Sequence, residues 1–119
     1  MISGNAFDAI KERAVKILVS RGYEPAERSF LSDYIPLHLV GCRNSYEILC
    51  VKIRVAGGAV STSYVESFCR FEICQFRSLL IMSPGSVFLR CEVWVISQNE
   101  SIHCFEVTPD NLCEVAAYA

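Results

Sequence analysis

The ten residues from Tyr46 to Val55, YEILCVKIRV, constrain this chain more than any other stretch. Side chains alternate across a strand, so Leu49, Val51, Ile53 and Val55 share one apolar face. Cys50, Lys52 and Arg54 share the other. A strand of this kind needs neighbours to pair its backbone and a layer to cover its apolar side. Ala56-Gly57-Gly58 ends it.

The elements around it can be read from spacing and punctuation. A helix is expected from about Asn5 to Ser20, where Phe7, Ile10, Ala14, Ile17 and Leu18 recur at three- and four-residue steps. Asn5 is suited to cap it, Asp8 suits the positive end of its dipole, and Gly22 supplies a stop. Tyr23 to Phe30 reads as a short edge strand, because Pro25 cannot donate to a ladder. Tyr34 to Cys42 reads as a second strand, turning at Arg43-Asn44-Ser45 into the strand described above.

A second helix is expected from about Thr62 to Leu80, opened by the capping-box form Ser63-x-x-Glu66. Its apolar arc holds Val65, Phe68, Cys69, Ile73, Phe76 and Leu80. After Pro84-Gly85, strands follow at Val87 to Ile96 and Ile102 to Val107, with a last short segment at Asn111 to Val115. The order α-β-β-β-α-β-β implies an α/β domain, a mixed sheet of about five strands with helices on both sides.

The chain has 119 residues, 52% apolar and 20% charged, with no repeat or low-complexity linker. It is read as one folded domain, 1–119, large enough to bury a core without staples. No apolar run approaches the ~18–20 residues that span a bilayer. The N-terminal stretch lacks the layout of a signal peptide. A formal net charge of −2 argues against strong non-specific binding of nucleic acid over the whole surface.

The seven cysteines make no C-x-x-C pair, and His38 and His103 are not at zinc-finger spacings from them. Most sit in apolar stretches, where cysteine behaves as a small hydrophobe. Reduced core thiols and a cytoplasmic location are expected. His103 and Cys104 are adjacent on a strand, so they point to opposite faces and cannot act as a catalytic pair.

With Glu12 ahead of Arg21-Gly22-Tyr23, the strand Ile35-Pro36-Leu37-His38-Leu39-Val40, and the strand Ile48 to Arg54, the chain resembles the PD-(D/E)XK superfamily. That superfamily holds restriction endonucleases, archaeal Holliday-junction resolvases and tRNA-splicing endonucleases. The resemblance implies a three-layer restriction-endonuclease-like core with a metal-dependent site. Its acid positions fall on His38 and Lys52, however, and its lysine position on Arg54. Magnesium prefers oxygen ligands. Two unit charges ~4 Å apart at an effective dielectric near 20 interact by roughly 4 kcal/mol. A dication beside Lys52 and Arg54 would meet that repulsion twice, so no catalytic metal and no nuclease activity by the family mechanism is expected.

Magnesium would be expected only if acids elsewhere rebuilt the site. Asp33, Glu47, Glu66 and Glu72 are the candidates, and each has an ordinary explanation. Glu66 caps a helix, Glu72 and Glu47 are solvated charges, and Asp33 lies in a turn. The leading functional expectation is a cationic cleft of Lys52, Arg54 and His38, with Glu12 orienting Lys52, that grips phosphate or a nucleic-acid backbone without cutting it. Against it stands a purely structural use, with Lys52 paired to Glu12, Arg54 in solvent and His38 a satisfied polar residue. Trp94 with Phe88 and Ile96 is read as core and not as a base-stacking platform. The alternative function is a protein-interaction module, a homodimer paired through Val87 to Ile96.

Overall fold

The computed structural model describes residues 4–26, 39–83, 85 and 88–118. Helix α1 spans Gly4–Ser20 and is followed by three strands, β1 (Glu24–Ala26), β2 (Leu39–Arg43) and β3 (Glu47–Val55). Two helices come next, α2 (Thr62–Phe68) and α3 (Arg70–Met82). The chain closes with β4 (Phe88–Ile96), β5 (Ile102–Val107) and β6 (Leu112–Val115). All six strands join one sheet in sequence order. Every neighbouring pair is antiparallel except β3 and β4, which run parallel because the α2–α3 crossover separates them.

The alternation expected for Tyr46 to Val55 holds through Ile53, while Val55 at the end of the strand is exposed. Leu49, Val51 and Ile53 pack with Ala14, Ile17 and Leu18 of α1, together with Trp94, Ile96 and Cys104. Cys50 belongs to the opposite cluster, with Val65 of α2 and Ile73 and Phe76 of α3. The sheet is thus covered by α1 on one face and by α2 and α3 on the other. Trp94 is core, as read, whereas Phe88 stays exposed. Among the described residues no helix is long and apolar enough to cross a membrane.

α1 stops as its sequence directs. Gly22 adopts φ +86°, the left-handed region that favours glycine. The Gly22 N–H donates to the Val19 carbonyl and the Tyr23 N–H to the Leu18 carbonyl, each at 3.0 Å. This is a Schellman cap, completed by burial of Tyr23 and Leu18 in one cluster. Pro25 lies in β1, which among the described residues pairs only with β2 and forms one edge of the sheet.

Several expectations need correction. Among the described residues the sheet has six strands, since the segment near Asn111 pairs with β5 as β6. The first helix begins at Gly4, one residue before the expected cap. The helix expected from Thr62 to Leu80 bends at Cys69 (φ −106°, ψ 23°) into α2 and α3. Its cap is Ser61, whose Oγ accepts from the Tyr64 N–H at 3.2 Å, and not Ser63 with Glu66. Extended backbone at Ser61 (φ −139°, ψ 165°) lets its side chain fold back over the first turn. β4 pairs with β3 on one side and β5 on the other. The part paired on both sides runs from Cys91 to Ile96, so within the described residues β4 is an interior strand over that span. Asp33, His38 and most of the strand expected from Tyr34 lie outside the described residues, as does the end of the strand expected to reach Phe30.

Candidate functional site

Lys52 and Arg54 lie two residues apart on β3, so both side chains leave the same face of the sheet. That face looks toward α3. Glu72 and Gln75 are three residues apart on α3, one above the other on the same side of the helix. The two spacings match. Arg54 Nη1 donates to Glu72 Oε1 at 2.7 Å, and Lys52 Nζ donates to Gln75 Oε1 at 3.4 Å. The result is a two-rung ladder between strand and helix.

The rungs differ in charge. Arg54 and Glu72 form an ion pair whose carboxylate side is nearly buried. The guanidinium also stacks over the Phe68 ring, 4.2 Å from its centroid, and donates to the Phe68 carbonyl at 3.4 Å. That carbonyl sits at the α2–α3 bend, so Arg54 ties the bend to the sheet. Lys52 meets only a neutral amide on its rung. Its residue is 9% exposed, against 8% for Glu72. An ammonium has three protons to donate. Among the described residues its side-chain partner is Gln75 Oε1, at a distance long for a charged bond.

A denser charge cluster lies on the opposite face. Glu92 of β4 is 0% exposed, yet ionised partners surround it. Arg21 grips it through Nη1 to Oε1 at 2.8 Å and Nη2 to Oε2 at 2.5 Å. Arg90 Nε donates to Oε2 at 2.7 Å, and Trp94 Nε1 to Oε1 at 2.8 Å. Burial pushes the Glu92 carboxyl upward, but its bonds to Arg21, Trp94 and Arg90 prevail and hold it below the usual carboxylate range. The bond to Glu92 likewise raises the Arg21 guanidinium. Arg90 reaches on to Glu106 at 3.3 Å. Arg43 Nη1 donates to the Arg21 carbonyl at 2.9 Å, stacks over Tyr23, and pairs with Glu47 at 2.6 Å. This cluster is satisfied throughout and holds α1 to the sheet. Sequence reading missed it, although a signal was present: an acid in the middle of the apolar run FLRCEVWVI.

A comparison with protein families, with curated proteins and with solved structures found no match for this chain.

The structure brings Lys52 and Arg54 to one face, as their alternation requires. Glu12 is not with them. It is exposed on α1, which covers the opposite face of the sheet, so the expected Glu12–Lys52 contact is replaced by Lys52–Gln75. His38 lies outside the described residues. Of the candidate acids, the three among the described residues do not converge. Glu72 is taken by Arg54, Glu47 turns to Arg43 on the α1 side, and Glu66 is exposed on α2. Neither Glu72 nor Glu47 is the simply solvated charge expected of it. Cys104 is buried on the α1 side, whereas His103 turns the other way to Glu114 at 3.0 Å.

Proposed function

We propose that this domain binds phosphate groups, those of a nucleic-acid backbone foremost, and does not cut them. Lys52 supplies the charge and Arg54 stands beside it. One observation carries the reading. Among the described residues, each arginine of the sheet faces a glutamate: Arg43 with Glu47, Arg54 with Glu72, Arg90 with Glu92. Lys52, more buried than any of these arginines, faces an amide. A buried charge without an opposite charge is costly unless something anionic joins it.

The finer reading of the fold belongs to the same proposal: a restriction-endonuclease-like core that has lost its metal-binding acids. Its support is the antiparallel run of β1 to β3, the crossover to parallel β4, and the presence of Lys52 and Arg54 where that superfamily places its acid and its lysine. Two cations at that place oppose a dication, and the domain is therefore no nuclease by that mechanism.

The test is binding of labelled single-stranded, duplex and branched DNA and RNA without divalent metal, across a salt series. Binding that weakens steeply with salt, and that falls in Lys52→Glu or Arg54→Glu, is the expected result. Absence of binding at low salt sinks the proposal.

A second reading has its own observation. The outer face of α3 exposes Phe71 (66%) and Ile81 (76%), with Cys74 and Ser78 between them. Both pairs are equidistant from residue 76, so two antiparallel copies of α3 would set Phe71 against Ile81 across a two-fold axis. A doubled molar mass in solution that collapses in Phe71→Asp supports this homodimer, and a monomer at every concentration excludes it.

A further inference from the structure

We infer that Gln75 is the residue that keeps the Lys52 site open to an anion, an inference that rests on the phosphate-binding reading above. The ladder contains its own comparison. On the Arg54 rung a carboxylate stands on α3 and the cation is neutralised in place. On the Lys52 rung, one turn along the same helix, the acceptor is a carboxamide of nearly the same size. Glutamine holds the ammonium by one hydrogen bond and leaves its unit charge in force. Its own N–H groups remain as donors that a carboxylate would lack. A phosphate oxygen drawn to Lys52 thus finds a second donor set beside the first, with the Arg54 guanidinium two residues along the strand. Glutamate at position 75 would fill the site from within, as Glu72 does for Arg54.

The shared ligand chemistry is a phosphate group, carried either by a polynucleotide backbone or by free phosphate. The experiment uses the full chain, a fluorescein-labelled single-stranded 20-mer at low salt, and inorganic phosphate as a separate probe followed by amide chemical shifts. Gln75→Glu is expected to weaken oligonucleotide binding about tenfold and to lower the salt slope by about one, as loss of one phosphate contact does. Gln75→Leu, which keeps the Lys52 charge but removes the amide donors, is expected to weaken binding less than Gln75→Glu and to leave the salt slope unchanged. Glu72→Gln, which frees Arg54, is expected to tighten binding, and it serves if Gln75→Glu fails to fold.

Equal binding by the original chain and a folded Gln75→Glu overturns the inference and leaves the phosphate-binding reading intact. An unchanged affinity in Glu72→Gln counts against it too. If the original chain binds neither probe, the underlying reading fails and takes the inference with it. Shifts at Lys52 and Gln75 with inorganic phosphate alone identify a small phosphate as sufficient. Shifts only with the 20-mer identify the backbone.

Discussion

Arg21 and Glu92 stand 71 positions apart in the chain and meet through two parallel hydrogen bonds of 2.8 and 2.5 Å. The residue that follows α1 is thereby fixed to a strand in the interior of the sheet. Removing Glu92 leaves the Arg21 charge nearly buried without its carboxylate, and removing Arg21 leaves the buried Glu92 with Arg90 and Trp94 alone. Glu92→Gln or Arg21→Met is expected to cost about 3–5 kcal/mol in urea unfolding. Replacing both by apolar residues should cost less than the sum of the single changes, and additivity would show that the pair is not coupled.

The same carboxyl gives the fold an acid dependence of known sign. Glu92 is held below its ordinary range in the folded chain, so the folded state binds fewer protons than the unfolded state near that range. Its contribution is complete above the unfolded value, ~4.3 for glutamate, and is lost as pH falls through the lower folded value. Unfolding free energy should therefore drop from about pH 5 downward, and drop less steeply in Glu92→Gln. Parallel pH profiles for the two chains would refute this.

The thiols should separate by burial. Burial raises Cys69 to about 11 and Cys104 to about 12, with Glu72 and Glu92 adding to the effect. The hydrogen bond between Cys91 and Cys50 and burial together raise Cys91. At pH 8 only about one Cys69 in a thousand would be thiolate. Cys74 and Cys113 are exposed. A thiol reagent is expected to modify these two first in the native chain and all seven cysteines in denaturant. Rapid native labelling of Cys69, Cys91 or Cys104 would contradict the packing.

Gly41 permits a close approach of β2 to the end of α1. A Cβ there would lie 3.0 Å from Tyr23 Cβ and 3.2 Å from Leu18 Cδ2. Gly41→Ala should destabilise by about 1–3 kcal/mol, the usual cost of overpacking. A chain as stable as the original would mean that Tyr23 yields without strain.

Two serines distinguish the observed cap from the one that sequence suggested. Ser61→Ala should cost about 1 kcal/mol. Ser63→Ala, within the helix and exposed, should change stability by less than about 0.5 kcal/mol. The reverse ranking would restore the cap to Ser63.

Much of the fold was legible because local rules carried it. The Gly22 stop, the edge position of Pro25, the two faces of β3 and the strand at Ile102–Val107 each follow from a few neighbouring residues. The bend at Cys69 was not legible, because hydrogen bonding continues across it: Cys69 donates to the Val65 carbonyl and accepts from the Ile73 N–H. The apolar spacing therefore runs on unbroken. At the candidate site, alternation alone placed Lys52 and Arg54 together. It gave no partner for either, and the expected partner Glu12 belongs to the wrong side of the sheet.

The sequence by itself determined which residues of each element face inward, since the periods of strand and helix are properties of the backbone. It also determined some of the stops, such as Gly22 after α1 and Ala56-Gly57-Gly58 after β3. Only the tertiary structure decided which charges meet. Glu92 with Arg21, and Glu72 with Arg54, are separated by 71 and 18 positions. No local rule couples residues so far apart. Their meeting depends on which face each helix covers and on strand register, and these are fixed by burying both sides of one sheet at once.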